Sequence, residues 1–181
     1  MIDAYAIQTM LAKVPKNPDD PLPSGLQDED LDGFAQRTGI VPPPDLRAWL
    51  KICNGPCVGP GGLFGIRKAS LHLNIESYLD LFPFWKRAKW IPIAGDGCGN
   101  YYVVPTQGEF GRGVPVLFID THESSESPAF VVASDVGHFL AFLLEFELGN
   151  RSWPFSERAV TDKDPAILDF AGAPLPWETI E

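Results

Sequence analysis

The feature that most constrains this chain lies between residues 90 and 133. Four short runs rich in β-branched and aromatic residues, WIPIA, YYVVP, VPVLFID and AFVVA, are separated only by GDGCGN, TQGEFGRG and THESSESP. Apolar runs bounded by Gly, Pro, Asn and Ser in this way read as strands. A parallel pair needs a crossover of a dozen or more residues, and these connections are too short to hold one. The segment therefore predicts an antiparallel meander. Adjacent connections then fall at opposite ends of the sheet, so GDGCGN and THESSESP share an end.

Helical periods flank the meander. Residues 2–13 put Ile7, Met10 and Leu11 on one stripe, and PKNPDDPLPSG (15–25) reads as a loop or linker. In LQDEDLDGFAQRTG, Leu31, Phe34 and Ala35 share a face, acids crowd the first turn, and Gly39 suits a C-terminal cap. In IVPPPDLRAWLKICNG a proline opens the helix without losing a hydrogen bond. Leu46, Trp49, Leu50 and Cys53 form its buried stripe, and Asn54-Gly55 stops it through left-handed backbone. GLFGIRKA is expected to be a short strand. Asn74 is placed as the N-cap of NIESYLDLF, and Pro83 begins a further turn carrying Trp85. After the meander, Ser134 is placed to cap DVGHFLAFLLEFEL, with Asp135 near its positive end.

This order predicts an α+β domain: one antiparallel sheet with helices packed mainly on one side. The expected boundaries are an N-terminal helix and linker (1–25), the α+β domain (26–149) and an extension (150–181). The extension carries Trp153, Ile167, Phe170 and Trp177 as apolar anchors and is expected to pack on the domain. A chain of 181 residues buries about 70% of its unfolded surface and needs no disulfide or metal staple.

Twenty-four acidic against fourteen basic residues leave a formal charge of -10. Such a field repels nucleic acid, whose affinity comes largely from Lys and Arg on phosphates, and attracts a basic protein, although on charge alone solubility is the favoured reading. Three cysteines at irregular spacing make no disulfide framework, which favours a reducing cytosol. The amino-terminal residues lack a basic start followed by an apolar run, and no stretch approaches a membrane span. A cytoplasmic protein is expected.

IPIAGDGCGNYYVVP (91–105) has the look of a site, and three chemistries compete for it. A phosphate loop needs its glycines directly before a helix, whereas a strand follows here, no lysine is present, and Asp96 repels phosphate. A cysteine nucleophile needs an activating base; Cys98 has one only if the shared end of the meander brings His122 to it. The third reading is a hairpin loop whose glycines serve the backbone and whose Asp96 and Asn100 shape it. Metal is not expected, since Cys53 and Cys57 are joined by no second ligand pair and Cys53 belongs to a helix stripe. Asp120, Glu123 and Glu126 sit together in sequence, and Asp96 shares their end of the sheet. They read as paired carboxylates for acid–base work, as an acidic rim for a basic partner, or, as the polarity of THESSESP favours, simply as an exposed acidic loop. Among aromatics, Trp85, Trp90, Tyr101 and Tyr102 divide between core and interface anchors, with alternation sending the two tyrosines to opposite faces.

Four features in order resemble the SUKH superfamily, which includes a yeast cell-wall assembly regulator and many bacterial immunity proteins. They are PPPDLRAWLKICNG, the GLFGI strand, the WIPIAGDGCGNYYVV block, and a VLFID strand followed by SDVGHFLAFLL. The resemblance spans about residues 26 to 148, and THESSESP departs from the compact His-Glu turn that is frequent there. Within the block, Trp90, Pro92, Gly95, Asp96, Gly97, Gly99 and Asn100 carry the pattern. The resemblance implies binding rather than catalysis, with no cofactor and a toxin, often a nuclease, as partner; the acidic charge of this chain suits a basic one. Asp96, Asp120, Glu123 and Glu126 are then the expected electrostatic contacts, with Trp85 or Tyr101 as an exposed anchor. A regulatory scaffold with another partner and a Cys98-dependent enzyme are the alternatives.

Overall fold

The computed structural model describes residues 3–15, 21–111, 113–170 and 172–179. Met1, Ile2, positions 16–20 of the proline-rich stretch, Arg112, Ala171, Ile180 and Glu181 lie outside the described residues. Helices α1 (Ala4–Lys13), α2 (Asp28–Thr38), α3 (Pro44–Ile52), α4 (Ile75–Leu81) and α5 (Pro83–Ala88) precede the sheet. The sheet is β1 (Trp90–Gly95), β2 (Tyr101–Pro105), β3 (Val116–Ile119) and β4 (Phe130–Ala133). Helices α6 (Val136–Glu147) and α7 (Glu157–Thr161) follow. The strands pair in the order β1-β2-β3-β4, all antiparallel, which is the predicted meander in an α+β fold.

Side-chain alternation along β2 decides what covers the sheet. Tyr101 meets Tyr78 of α4 and Trp85 of α5 at ring distances of 4.9 and 5.5 Å. Its neighbour Tyr102 points the other way, 5.0 Å from Phe139 of α6 and 5.9 Å from Trp153. Helices thus reach both faces, where the sequence predicted them mainly on one. Every residue of β1 and of β4 is buried accordingly.

Both sheet edges are closed, which removes a template for unwanted pairing. Along β1, Phe64 N donates to Ile93 O (2.8 Å) and Gly95 N to Gly62 O (3.2 Å). The expected GLFGI strand is reduced to this contact, with isolated bridges at Leu63 and Gly65. Pro92, which has no N–H to give, sits beside the irregularity in β1. Along β4 the C-terminal extension supplies the partners. Trp153 Nε1 donates to Val132 O (3.0 Å), Val131 N to Pro174 O (3.0 Å), and Ser134 N to Asp164 Oδ2 (2.7 Å).

Two caps differ from expectation. The α6 N-cap is Asp135, whose Oδ1 accepts from His138 N at 2.8 Å. Ser134 lies one residue before the cap, its N–H donated to Asp164 Oδ2 and its Oγ 3.3 Å from His138 Nδ1. At the end of α3 only Gly55 is left-handed, with φ +70°. Asn54 acts through its side chain instead: Nδ2 donates to Ile66 O (2.9 Å) and Oδ1 accepts from Ile66 N (2.8 Å). Its amide thus stands in for a strand partner of Ile66. Asn74 begins α4 without a side-chain bond to the helix backbone. Gly39 caps α2 at φ +70°, and Cys53 is buried, its Sγ donating to Pro23 O, both as the pattern required.

At the α6 N-terminus His138 Nδ1 lies 3.1 Å from Asp135 Oδ1 and 3.8 Å from the fully buried Asp164 Oδ1, and Asp3 of the α1 N-cap lines the same crevice. The hydrogen bond to Asp135 raises the His138 pKa above 6.5, against burial and with help from the Asp164 and Asp135 charges. A raised folded pKa stabilises the protein fully below 6.5 and loses that contribution as pH climbs through the folded value. Urea unfolding at pH 6 and pH 8 should show greater stability at pH 6. His138→Gln should flatten the difference; an unchanged pH slope in that variant removes His138 as its source.

Candidate binding site

The site is built on the shared end of the meander. In the β1–β2 turn, Asp96 is the organiser: Oδ1 accepts from Cys98 N (2.7 Å) and Asn100 N (3.0 Å), and Oδ2 from Asn100 Nδ2 (2.9 Å). Asp96 N donates to Asn100 O (3.1 Å), closing the turn. Gly97, at φ +81°, lies so near Pro60 that a Cβ there would stand 2.9 Å from its carbonyl oxygen. The residue is glycine for both reasons.

The β3–β4 loop docks on this turn. Thr121 N donates to Asn100 Oδ1 (3.1 Å), and Thr121 Oγ1 to Gly99 O (2.7 Å). Within the loop, Asp120 Oδ1 accepts from His122 N (2.9 Å), and Asp120 O accepts from Glu123 N and Ser124 N. Trp85 Nε1 donates to Ser125 O (2.7 Å), tying the loop to α5. The two turns form one braced surface. Glu123, Glu126 and His122 are exposed on it, and Asp96 and Asp120 are half-buried.

Behind the Asp96 turn opens a cleft of about 260 Å³ lined by Pro60, Asp96, Tyr102, Leu143, Phe146, Arg151, Trp153, Pro154 and Phe155. Phe155 is 50% exposed, and the Arg151 guanidinium lies 4.0 Å over the Phe146 ring. Burial, and then the neighbouring Asp96 carboxylate, push the Tyr102 pKa far up, so its hydroxyl is a neutral donor.

Several expected site residues change role. Trp85 is no exposed anchor: it is fully buried, and its volume sits against Phe82 and Tyr101. Tyr101 is half-buried, with Phe64, Tyr78, Phe82 and Trp85 around its ring and the remainder of its surface exposed. Asp96 spends both carboxylate oxygens on its own turn. Trp90 is core as well, between Phe84 and Phe110, its indole N–H donated to Glu109. The Cys98 and His122 loops do share an end, yet among the described residues no hydrogen bond joins the two side chains. Among the described residues there is also no group of His, Cys, Asp and Glu able to hold a metal ion. Leu143 belongs to the main α6 stripe of Val136, Phe139, Leu140 and Leu143, while Phe146 and Phe155 are the part of this surface that periodicity did not single out, because α6 is strongly apolar and the tail has no period.

The match that decides identity covers residues 25–141, which fit the SMI1 / KNR4 family (SUKH-1). The chain belongs to this family. No curated protein matches it. The SUKH-1 segment contains the braced loop pair whole, whereas the cleft draws Leu143, Phe146 and the 151–155 wall from beyond the matched residues. Among the described residues no helix is long and apolar enough to cross a membrane.

Proposed function

We propose that this SUKH-1 protein is a bacterial immunity protein that neutralises a cognate toxin by one-to-one occlusion. The observation that carries the reading is the braced acidic loop pair on a chain of net charge -10. A nuclease toxin presents lysines and arginines where it grips phosphate, and carboxylates held in fixed geometry are their complement. Glu123 and Glu126 are the direct electrostatic contacts, Asp120 contributes at the rim, and Asp96 holds the turn and adds its charge. Asn100 and Thr121 keep the surface from having to order itself on binding, which lowers the cost of association. Binding rather than catalysis fits the family, which is generally non-enzymatic, and the work is done in the cytoplasm on a protein partner, without a cofactor.

The test is co-expression with the product of the adjacent upstream gene. That product alone should arrest growth, and this chain should restore it while forming a 1:1 complex on size exclusion with light scattering. Glu123→Lys with Glu126→Lys should abolish the rescue while leaving the melting temperature unchanged. A harmless neighbour, or a toxic one that the intact chain neither binds nor silences, sinks the reading in favour of a scaffold for another partner. Rescue dependent on Cys98, lost in Cys98→Ala, would instead revive the enzyme reading.

A further inference from the structure

The cleft behind the Asp96 turn assigns a second element to this surface. We propose that it receives one large apolar side chain, aromatic or long aliphatic, projecting from the basic partner while the neighbouring basic residues engage the acidic loops. The inference rests on the reading of the chain as a binder of a basic protein. Its volume of about 260 Å³ has room for one such side chain, whereas pockets for drug-sized ligands run to roughly 300–1,000 Å³.

The walls have the character of an anchor pocket. Leu143, Phe146 and Trp153 form an apolar lining, and Phe155 stands 50% exposed at the mouth, which is costly to leave in water. Among the described residues the Tyr102 hydroxyl has no hydrogen-bond partner, so a donor remains in a lining whose two charged members are Asp96 and Arg151, the latter lying over the Phe146 ring. Charge complementarity selects the partner. Asp96 belongs both to the cleft and to the turn that carries the β3–β4 loop, so an apolar residue seated here has carboxylates beside it. Buried aromatic anchors ringed by polar contacts are where interface energy concentrates.

The probe is the peptide Lys-Arg-Trp-Arg-Lys, capped at both ends and titrated at low salt into the 15N-labelled full chain. Its shifts should centre on Gly97, Tyr102, Phe146 and the Trp153 indole N–H. Phe155→Ala, a half-exposed position whose ring meets Phe130 edge-on at 5.9 Å, should weaken binding about tenfold, as should replacing the peptide's Trp by Ala. Equal affinity for the Trp and Ala peptides overturns the proposal, because charge alone then explains binding. So do absence of saturable binding at millimolar peptide, shifts confined to the far end of the sheet around Pro43–Asp45, or a concentration-dependent dimer that buries Phe155. A growth arm separates this proposal from the one beneath it. If the intact chain rescues and Phe155→Ala rescues equally at limiting expression, the cleft is refuted and the immunity role stands. If the intact chain fails to rescue, the immunity role falls, and the peptide titration still decides the cleft.

Discussion

Trp85→Ala should lower the melting temperature by roughly 6–20 °C. The side chain is fully buried, and its ring packs on Phe82 at 4.2 Å and Tyr101 at 5.5 Å. Truncating a buried Trp costs about 3–5 kcal/mol, because the surrounding aromatics collapse only partly into the space. For a chain of this length each kcal/mol moves the midpoint by about 2–4 °C. A second loss is local. Without the indole N–H, Ser125 O loses its donor and the β3–β4 loop its tie to α5. Trp85→Phe separates the two effects: most packing stays, and the loop alone is released. Thermal denaturation by circular dichroism reads the first effect, and hydrogen exchange across residues 121–126 the second. A shift under about 3 °C for Trp85→Ala contradicts the packing argument. Unchanged exchange in Trp85→Phe contradicts the claim that the indole braces the loop.

Gly55→Ala should be nearly as damaging, by a different route. A Cβ at this position stands 2.5 Å from Gly65 N, 2.8 Å from Gly65 Cα and 3.0 Å from Phe64 C. All three are backbone atoms of the segment that covers β1, so no side chain can swing aside. Overpacking of this kind costs about 1–3 kcal/mol. The left-handed φ of +70° adds about 1–2 kcal/mol for any residue with a Cβ. Gly99→Ala is the control: φ is +98°, and a Cβ there meets nothing within 4 Å, so only the conformational cost applies. Chemical denaturation of the two variants should put Gly55→Ala at least about 1 kcal/mol below Gly99→Ala. Equal losses show that the contact with Gly65 relaxes freely.

These variants mark where local pattern and tertiary packing part company. Apolar period, turn residues and connection length determined the meander, its antiparallel sense, the α3 stripe through Cys53 and the sharing of one end by GDGCGN and THESSESP. Each is a short-range consequence of side-chain spacing or chain reach. The turn-shaping role of Asp96 and Asn100 was legible for the same reason, since the bonds between them span four residues, whereas the Asn100 bond to Thr121 crosses 21 residues and was not. Periodicity left Trp85 and Tyr101 open as anchors, because an aromatic on a short turn or a strand end has the same pattern whether its partners lie above it or water does. Only the stacking of α4 and α5 against β2 buried Trp85 and covered one side of Tyr101. Helices on both faces, the hydrogen bonds of β4 to the tail, and Asn54 standing in as a strand partner likewise depend on groups far apart in sequence. The cleft at Phe155 is the extreme case: its walls come from a loop, a strand, a helix and the aperiodic tail. The chain's local order therefore settled which elements exist and which turns meet. Long-range packing decided which aromatic residues are spent on the core and which are left exposed.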